Sequence, residues 1–306
     1  MRKEIKEFLS LCKKSNSKPL IVVFGPTASG KTAFSVELAK EIDAEIISAD
    51  SRQIYKEMPI STALVTKEEM QGIPHHMIAF RKADEPLSMA EYKEMATKFI
   101  EDIIKRNKIP MLVGGTGLYI SSIIDNYQMP EVPPNKKLRK ELEELAKEKG
   151  KEAVHEILKK LSPKKADEIH ANNLRYTVRA IEIAKSNAKQ MPTTGKPKFQ
   201  TFIINLEWPR DLLYNRINQR VEMMINQGLI EEINSLLKKN YENTLPAMTS
   251  VGVKEIIPYL EGKTTKEDAV ELLKKNTRNY AKRQITWSKR YKNVLNICPL
   301  KEKNGS

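Results

Sequence analysis

The residues with the plainest chemical use are Gly25, Pro26, Thr27, Ala28, Ser29, Gly30, Lys31 and Thr32. Their G-x-x-x-x-G-K-T spacing is that of a loop that cradles phosphate groups. Gly25 and Gly30 let the chain pass close to an anion. Lys31 supplies a full positive charge, and the Thr32 hydroxyl is suited to Mg²⁺. The site binds a di- or triphosphate. A nucleoside triphosphatase normally adds a carboxylate at the end of a later strand, but here the strand ending at Val113 runs into Gly114-Gly-Thr-Gly117. The nearest strand-end carboxylate is Asp50. It can be a metal ligand or a base aimed at an acceptor; alternatively Asp50 or Ser51 N-caps a short helix containing Gln53-Ile-Tyr55. His75-His76 could tempt a metal reading, but adjacent side chains project differently and no Cys accompanies them, which favours a loop-structuring role.

The elements around these residues alternate. The apolar run Pro19–Phe24 feeds the glycine loop, and residues 33–40 read as a helix behind it. Ala44–Ala49 forms a second strand, residues 88–106 a helix, and Ile109–Val113 a third strand. Strands alternating with helices predict an α/β core with a parallel sheet and crossover helices. Ligands of such sheets collect beyond the carboxyl ends of the strands, where the glycine loop, Asp50 and Thr116 all fall.

Residues 1–17 read as an amphipathic extension and 18–135 as the first part of a P-loop core. The composition changes at Met129-Pro-Glu-Val-Pro-Pro134, and residues 136–198 read as an all-helical insertion. Its helix-forming run, Lys136 to about Lys189, breaks at Gly150, Ser162-Pro163 and Asn172-Asn173. Residues 199–306 return the chain to the core through a strand at Phe199–Leu206. Helices follow over Arg210–Lys238 and from Lys266 to about Arg290. On the last, Lys275, Arg278, Lys282 and Lys289 share one face, opposite Leu273, Tyr280 and Trp287.

A 306-residue chain with 40% hydrophobic and 30% charged residues is an ordinary globular protein, but a net charge of +14 is not ordinary. That excess predicts a polyanionic partner. Cys12 and Cys298 have no metal-type spacing. There is no signal-type leader and no membrane-length apolar run, so the default is a cytoplasmic protein without a membrane partner.

Six motifs in order resemble the tRNA dimethylallyltransferase (tRNA isopentenyltransferase) family. They are the glycine loop, Asp50-Ser51-Arg52-Gln53-Ile-Tyr55, Pro74-His-His76, Leu112–Tyr119, Tyr214–Val221 and Tyr280–Trp287. The resemblance implies a P-loop NTPase-like core and transfer of a dimethylallyl group from dimethylallyl diphosphate to N6 of adenosine 37, beside the tRNA anticodon. The P-loop, residues 25–32, would then hold the leaving diphosphate with Mg²⁺ on Thr32, not an ATP γ-phosphate. The resemblance implies that Lys31 and Arg220 clamp that diphosphate. Asp50 would take the proton from the acceptor amine, with Thr116 near the acceptor base. Ser51, Arg52, Gln53, Arg175, Arg179, Thr249, Gly252, Lys254, Lys282, Arg283 and Gln284 would contact the anticodon stem-loop. The family also suggests a monomer.

The chain departs from the family pattern at Ser61, Leu64, Ala79, Tyr176, Val253 and Ser288, most of them expected on the side that meets RNA. Alternatives are therefore a divergent paralogue with altered or lost acceptor activity, and an adenylate isopentenyltransferase acting on free AMP or ADP. A small-molecule kinase is a further rival.

Overall fold

The computed structural model describes residues 1–130, 132–186 and 193–299. The end of the expected insertion helix, 187–189, lies outside them. The described chain forms two compact units, one of residues 1–125 and 197–299, the other of Asn126–Lys196.

The first unit begins with α1 (Arg2–Lys14), β1 (Pro19–Phe24), α2 (Lys31–Ile42), β2 (Ala44–Ser48), α3 (Lys67–Met70) and β3 (His75–His76). It continues through α4 (Met89–Lys105), β4 (Ile109–Gly114) and α5 (Gly117–Ile124). The second unit contains β5 (Tyr127–Gln128), α6 (Lys136–Lys149), α7 (Lys151–Leu161), α8 (Pro163–Glu168), α9 (Leu174–Lys185) and β6 (Thr193–Thr194). The chain then re-enters the first unit through β7 (Gln200–Leu206), α10 (Arg210–Asn226), α11 (Leu229–Leu237), α12 (Ile257–Leu260), α13 (Lys266–Ser288) and β8 (Val294–Ile297).

The main sheet has the order β3-β2-β4-β1-β7-β8, with every pair parallel. Buried on both faces, β1 is a continuous apolar run whose alternate residues serve different cores. Leu20, Val22 and Phe24 meet Tyr92, Ala96, Ile100 and Ile103 of α4 and Ile120 of α5. Ile21 and Val23 meet Ile5 and Phe8 of α1 and Val36 and Ala39 of α2. Each such aliphatic side chain contributes about 2 kcal/mol on burial. The start of α4 is set by a capping box: Ser88 accepts from the Glu91 amide while Glu91 reaches back to the amide of Ser88. A third core joins Ile54, Tyr55 and Met58 to α10, α11 and α13 through Val221, Ile233 and Leu273.

Three local expectations change. His75-His76 is an edge strand, paired with Ile46 and Ile47. The Arg210–Lys238 helix is broken at Gly228, whose φ of +97° only glycine adopts without strain. Gln53 and Ile54 form a turn and Tyr55 a bridge to Arg81, not a short helix. The second unit has its own core, with Leu142, Val154, Leu158, Val178 and Ile181 buried together. Its ends are joined by the antiparallel pair of Tyr127 with Thr194.

Glu45 on β2 has a side chain only 3% exposed. It takes two hydrogen bonds from the Arg106 guanidinium and lies 2.8 Å from His76 Nε2. Those Arg106 bonds, against the opposing effect of burial and with help from His76, hold its carboxyl at about 2 instead of 4.5. A lowered folded-state pKa gives stability that is present above 4.5 and lost as pH falls towards 2. Glu45→Gln should therefore lower stability by roughly 2 kcal/mol at neutral pH, and its deficit against the parent should shrink between those two pH values. Denaturant unfolding across that range checks both effects.

Candidate active site

The ends of β1, β2 and β4 meet closely. A Cβ on Gly114 would lie 2.2 Å from the Ala49 carbonyl oxygen, so only glycine permits this approach. The Ala49 amide donates to Val113 O at 2.7 Å, and the Thr116 amide donates to Ala49 O at 3.0 Å. Asp50 and Thr116 thus leave adjacent strand ends together. Thr116 Oγ1 accepts from the Ser51 amide at 3.0 Å and donates to Ser51 Oγ at 3.3 Å. Asp50 Oδ1 accepts from the Arg52 amide at 2.8 Å and the Gln53 amide at 3.4 Å. Asp50 thus closes a turn at this oxygen, where the N-cap reading expected a short helix.

The P-loop is tied down on several sides. Lys31 Nζ donates to Gly25 O at 2.8 Å and Pro26 O at 2.7 Å. Ala28 sits at φ +62° and Gly30 at φ +86°, the left-handed turns that curl a loop around an anion. The first amides of α2 have no carbonyl one turn back and point out of the helix.

Sequence reasoning missed two residues that grip this loop. Arg216 Nε donates to Ala28 O at 2.8 Å, and Trp208 Nε1 donates to Ser29 O at 2.9 Å. The Arg216 guanidinium also lies 4.3 Å from the Trp208 ring centre. Arg216 falls inside the quoted Tyr214–Val221 motif one helical turn before Arg220, which was the available signal. Trp208 had none.

Lys31, Arg220 and Asp50 form one electrostatic group. Burial pulls the Lys31 ammonium down to about 7; Asp50 opposes that pull and Arg220 adds to it. Arg220 is likewise lowered, first by burial and then with Asp50 opposing. Tyr280 is a further residue that was missed. Its phenol shares a hydrogen bond with Thr116, while burial and the nearby Asp50 raise its pKa and keep it protonated.

The residues expected at RNA divide. Thr249, Lys254, Lys282 and Arg283 are exposed in the first unit, and so is Arg175 in the second. Lys275 and Lys282 of α13 are exposed, as is Lys289 at its C-cap, while Arg278 donates to Asn218 Oδ1 at 2.6 Å. Arg52 is turned inward and donates to Pro246 O at 2.6 Å; Gln53 donates to Ala63 O at 2.9 Å. Gly252 is buried at φ +108°, its amide donating to Glu255. Arg179 binds Glu182 at 3.0 Å and Val132 O at 2.9 Å inside the second unit.

Gln284 is a clear correction. It is 5% exposed and bonded to the P-loop, so its side chain does not face solvent. Among the departures, Val253 is fully buried, which takes it off the surface, while Ser288 is half-buried and donates to Ile285 O. Tyr176 is 62% exposed.

Among the described residues no group of three or more His, Cys, Asp or Glu side chains is placed to hold a metal ion. No described helix is long and apolar enough to cross a membrane.

The family described as "IPP transferase" matches residues 53–291. A tRNA dimethylallyltransferase of Exiguobacterium sp. (strain ATCC BAA-1283 / AT1b) is 47% identical over 272 residues, 88% of this chain and 86% of that one. Another, from Clostridioides difficile (strain 630), is 45% identical over 278 residues, covering 90% and 89%. Two solved structures are similar. The full-length tRNA isopentenylpyrophosphate transferase of Bacillus halodurans is 40% identical with a TM-score of 0.69, covering 92% of this chain and 90% of that one. A eukaryotic dimethylallyltransferase acting on tRNA is 28% identical with a TM-score of 0.74, covering 94% and 76%. With its glycine loop, its strand-end carboxylate and this degree of identity over most of its length, the chain belongs to the IPP transferase family.

Proposed function

We infer that the protein is a tRNA dimethylallyltransferase. It moves the dimethylallyl group of dimethylallyl diphosphate to N6 of adenosine 37 in the anticodon loop and releases diphosphate. The observation that carries this reading is the grouping of two cations and a phosphate-type loop around one carboxylate. A site that assists departure of a diphosphate needs concentrated positive charge. A site that deprotonates an amine as a bond forms needs one base beside it. Lys31, Arg220 and the P-loop amides are suited to the first task, and Asp50 to the second.

Thr116, hydrogen-bonded to Ser51 and Tyr280 beside Asp50, is suited to orient the acceptor. The exposed Lys275, Lys282, Arg283 and Lys289 give α13 a phosphate-binding face. The Thr32 hydroxyl, in the first turn of α2 beside Lys31, would hold a Mg²⁺ ion together with diphosphate oxygens and water. When bound, such an ion would help neutralise the leaving diphosphate. A cytoplasmic monomer fits this role.

The test mixes protein, Mg²⁺ and dimethylallyl diphosphate with unmodified tRNA carrying adenosines at positions 36–38, and in parallel with AMP. Mass spectrometry of the digests is expected to find N6-dimethylallyl adenosine at position 37 of the tRNA alone. Product only on AMP would move the assignment to a free-nucleotide transferase. No product with either would favour a divergent paralogue. In the same assay Asp50→Asn should lower turnover by a factor on the order of 100 to 10,000 while donor affinity changes little; unchanged turnover would remove Asp50 from the base role.

Lys31 gives a pH prediction. Its ammonium titrates at about 7 in the free site, and a bound diphosphate favours the charged form, so the bound-state pKa is higher. Affinity should therefore be full below about 7 and fall as pH rises above it, by up to roughly tenfold per unit, until the bound-state pKa is reached. Calorimetric titration with dimethylallyl diphosphate, in the absence of acceptor, should show this fall in the parent. Lys31→Arg, which stays charged, should lack it.

A further inference from the structure

Lys282, Arg283 and Gln284 of α13 are expected at RNA, yet the inner face of this helix is keyed into the phosphate loop. Gln284 Oε1 accepts from the Thr27 amide at 2.8 Å, and its Nε2 donates to Gly115 O at 2.9 Å. One side-chain amide thus bridges the turn after β1 and the turn after β4. A Cβ on Gly115 would lie 2.0 Å from Gln284 Nε2, so glycine there makes room for the bridge. One turn on, a Cβ on Gly117 would lie 2.4 Å from the Trp287 ring. One turn back, Ala281 is buried in the same cluster as Ala28 of the P-loop. Residues 281, 284 and 287 recur at helical spacing, so a single face of α13 makes all three contacts.

We propose that Gln284 is a positioning residue for the diphosphate site. Its bridge holds the P-loop in its anion-binding shape, and α13 serves the donor through its inner face while its outer face serves RNA. The proposal rests on the reading of the P-loop as a diphosphate cradle.

The chemistry of the side chain fits this task. The bridge requires one acceptor and one donor on the same short planar group, which an amide supplies. A carboxylate at 284 would accept from Thr27 but could not donate to Gly115. Asparagine is one methylene short. The amide of Thr27 adjoins Ala28, whose left-handed φ of +62° is unfavourable for a residue with a Cβ. Such a conformation persists only where the surroundings over-determine it. Gln284 on Thr27, Arg216 on Ala28 and Trp208 on Ser29 are bonds on three successive residues. Gln284 is the member of this set whose helix also carries Lys282 and Arg283 to the surface.

The test separates the two faces by binding alone. Parent, Gln284→Leu, Gln284→Met and Lys282→Ala are titrated with inorganic diphosphate and Mg²⁺ by calorimetry, and with a labelled anticodon stem-loop RNA by fluorescence anisotropy. Methionine, unbranched and of similar length, guards against misfolding of the leucine variant. Both Gln284 variants are expected to bind diphosphate at least about tenfold more weakly, the effect of losing one buried hydrogen bond or more, with RNA affinity within about twofold of the parent. Lys282→Ala should show the reverse split. Weakened RNA binding with diphosphate binding intact would overturn the proposal and return Gln284 to the RNA contacts. Equal loss of both ligands, following the loss of folded protein, would overturn it in favour of a purely structural role. A parent that binds no diphosphate would sink the cradle reading itself, whereas a parent and variants that bind it equally would sink only the bridge.

Discussion

Two like charges held close together set the terms for this site. Arg220 makes the positive charge of Lys31 less favourable, Arg216 does the same to Arg220, and Lys31 and Arg220 both sit where burial already disfavours charge. Asp50 is the carboxylate that opposes this for both groups. In a medium of low polarizability such repulsion is far stronger than in water, so the surrounding chain has to hold the group together. Lys31 is held by the carbonyls of Gly25 and Pro26. The next carbonyls of the loop are claimed by Arg216 and Trp208. A polyanion entering this group would relieve a repulsion that the fold maintains, and much of its binding energy would be prepared before it arrived.

The same requirement accounts for the C-terminal half of the chain. A glycine loop between a strand and a helix has few side chains with which to brace itself. Its supports must come from elsewhere: Trp208 and Arg216 at the start of α10 and Gln284 on α13. Those helices in turn share a core with the segment around Ile54, Tyr55 and Met58, just after Asp50. The bracing of the P-loop and the placement of Asp50 therefore depend on one body of packing.

This explains which parts were legible in the sequence. The P-loop, Asp50 and the Gly114–Gly117 turn could be read because each depends on local chain chemistry. A strand runs into glycine, a carboxylate sits at a strand end, and glycine stands where Ala49 approaches too closely for any side chain. Trp208 and Gln284 could not be placed correctly, because their roles exist only through contacts about 180 and 257 residues distant along the chain. His75-His76 was illegible as a strand for a different reason. Two polar residues carry no periodicity, and their pairing is imposed by β2 and by the Glu45–His76 contact. Gly228, by contrast, offered a visible break inside Arg210–Lys238 that helix-forming neighbours concealed.

The departures from the family pattern look different once their surroundings are known. Val253 stands where the family resemblance leads one to expect a tyrosine, and it is enclosed in the core beneath α10–α13, where a tyrosine hydroxyl would need a partner and valine needs none. Ser288 ends α13 by bonding back to Ile285. Both are matters of packing and helix termination. Tyr176 alone among these three is broadly exposed, next to the exposed Arg175. The family resemblance leads one to expect an arginine there; the tyrosine instead presents a ring that can stack on a base but cannot neutralise a phosphate. A change from phosphate contact to stacking would alter how RNA binding responds to salt and to unpaired bases. It would leave the charged group around Lys31, which belongs to the other unit of the chain, as it is.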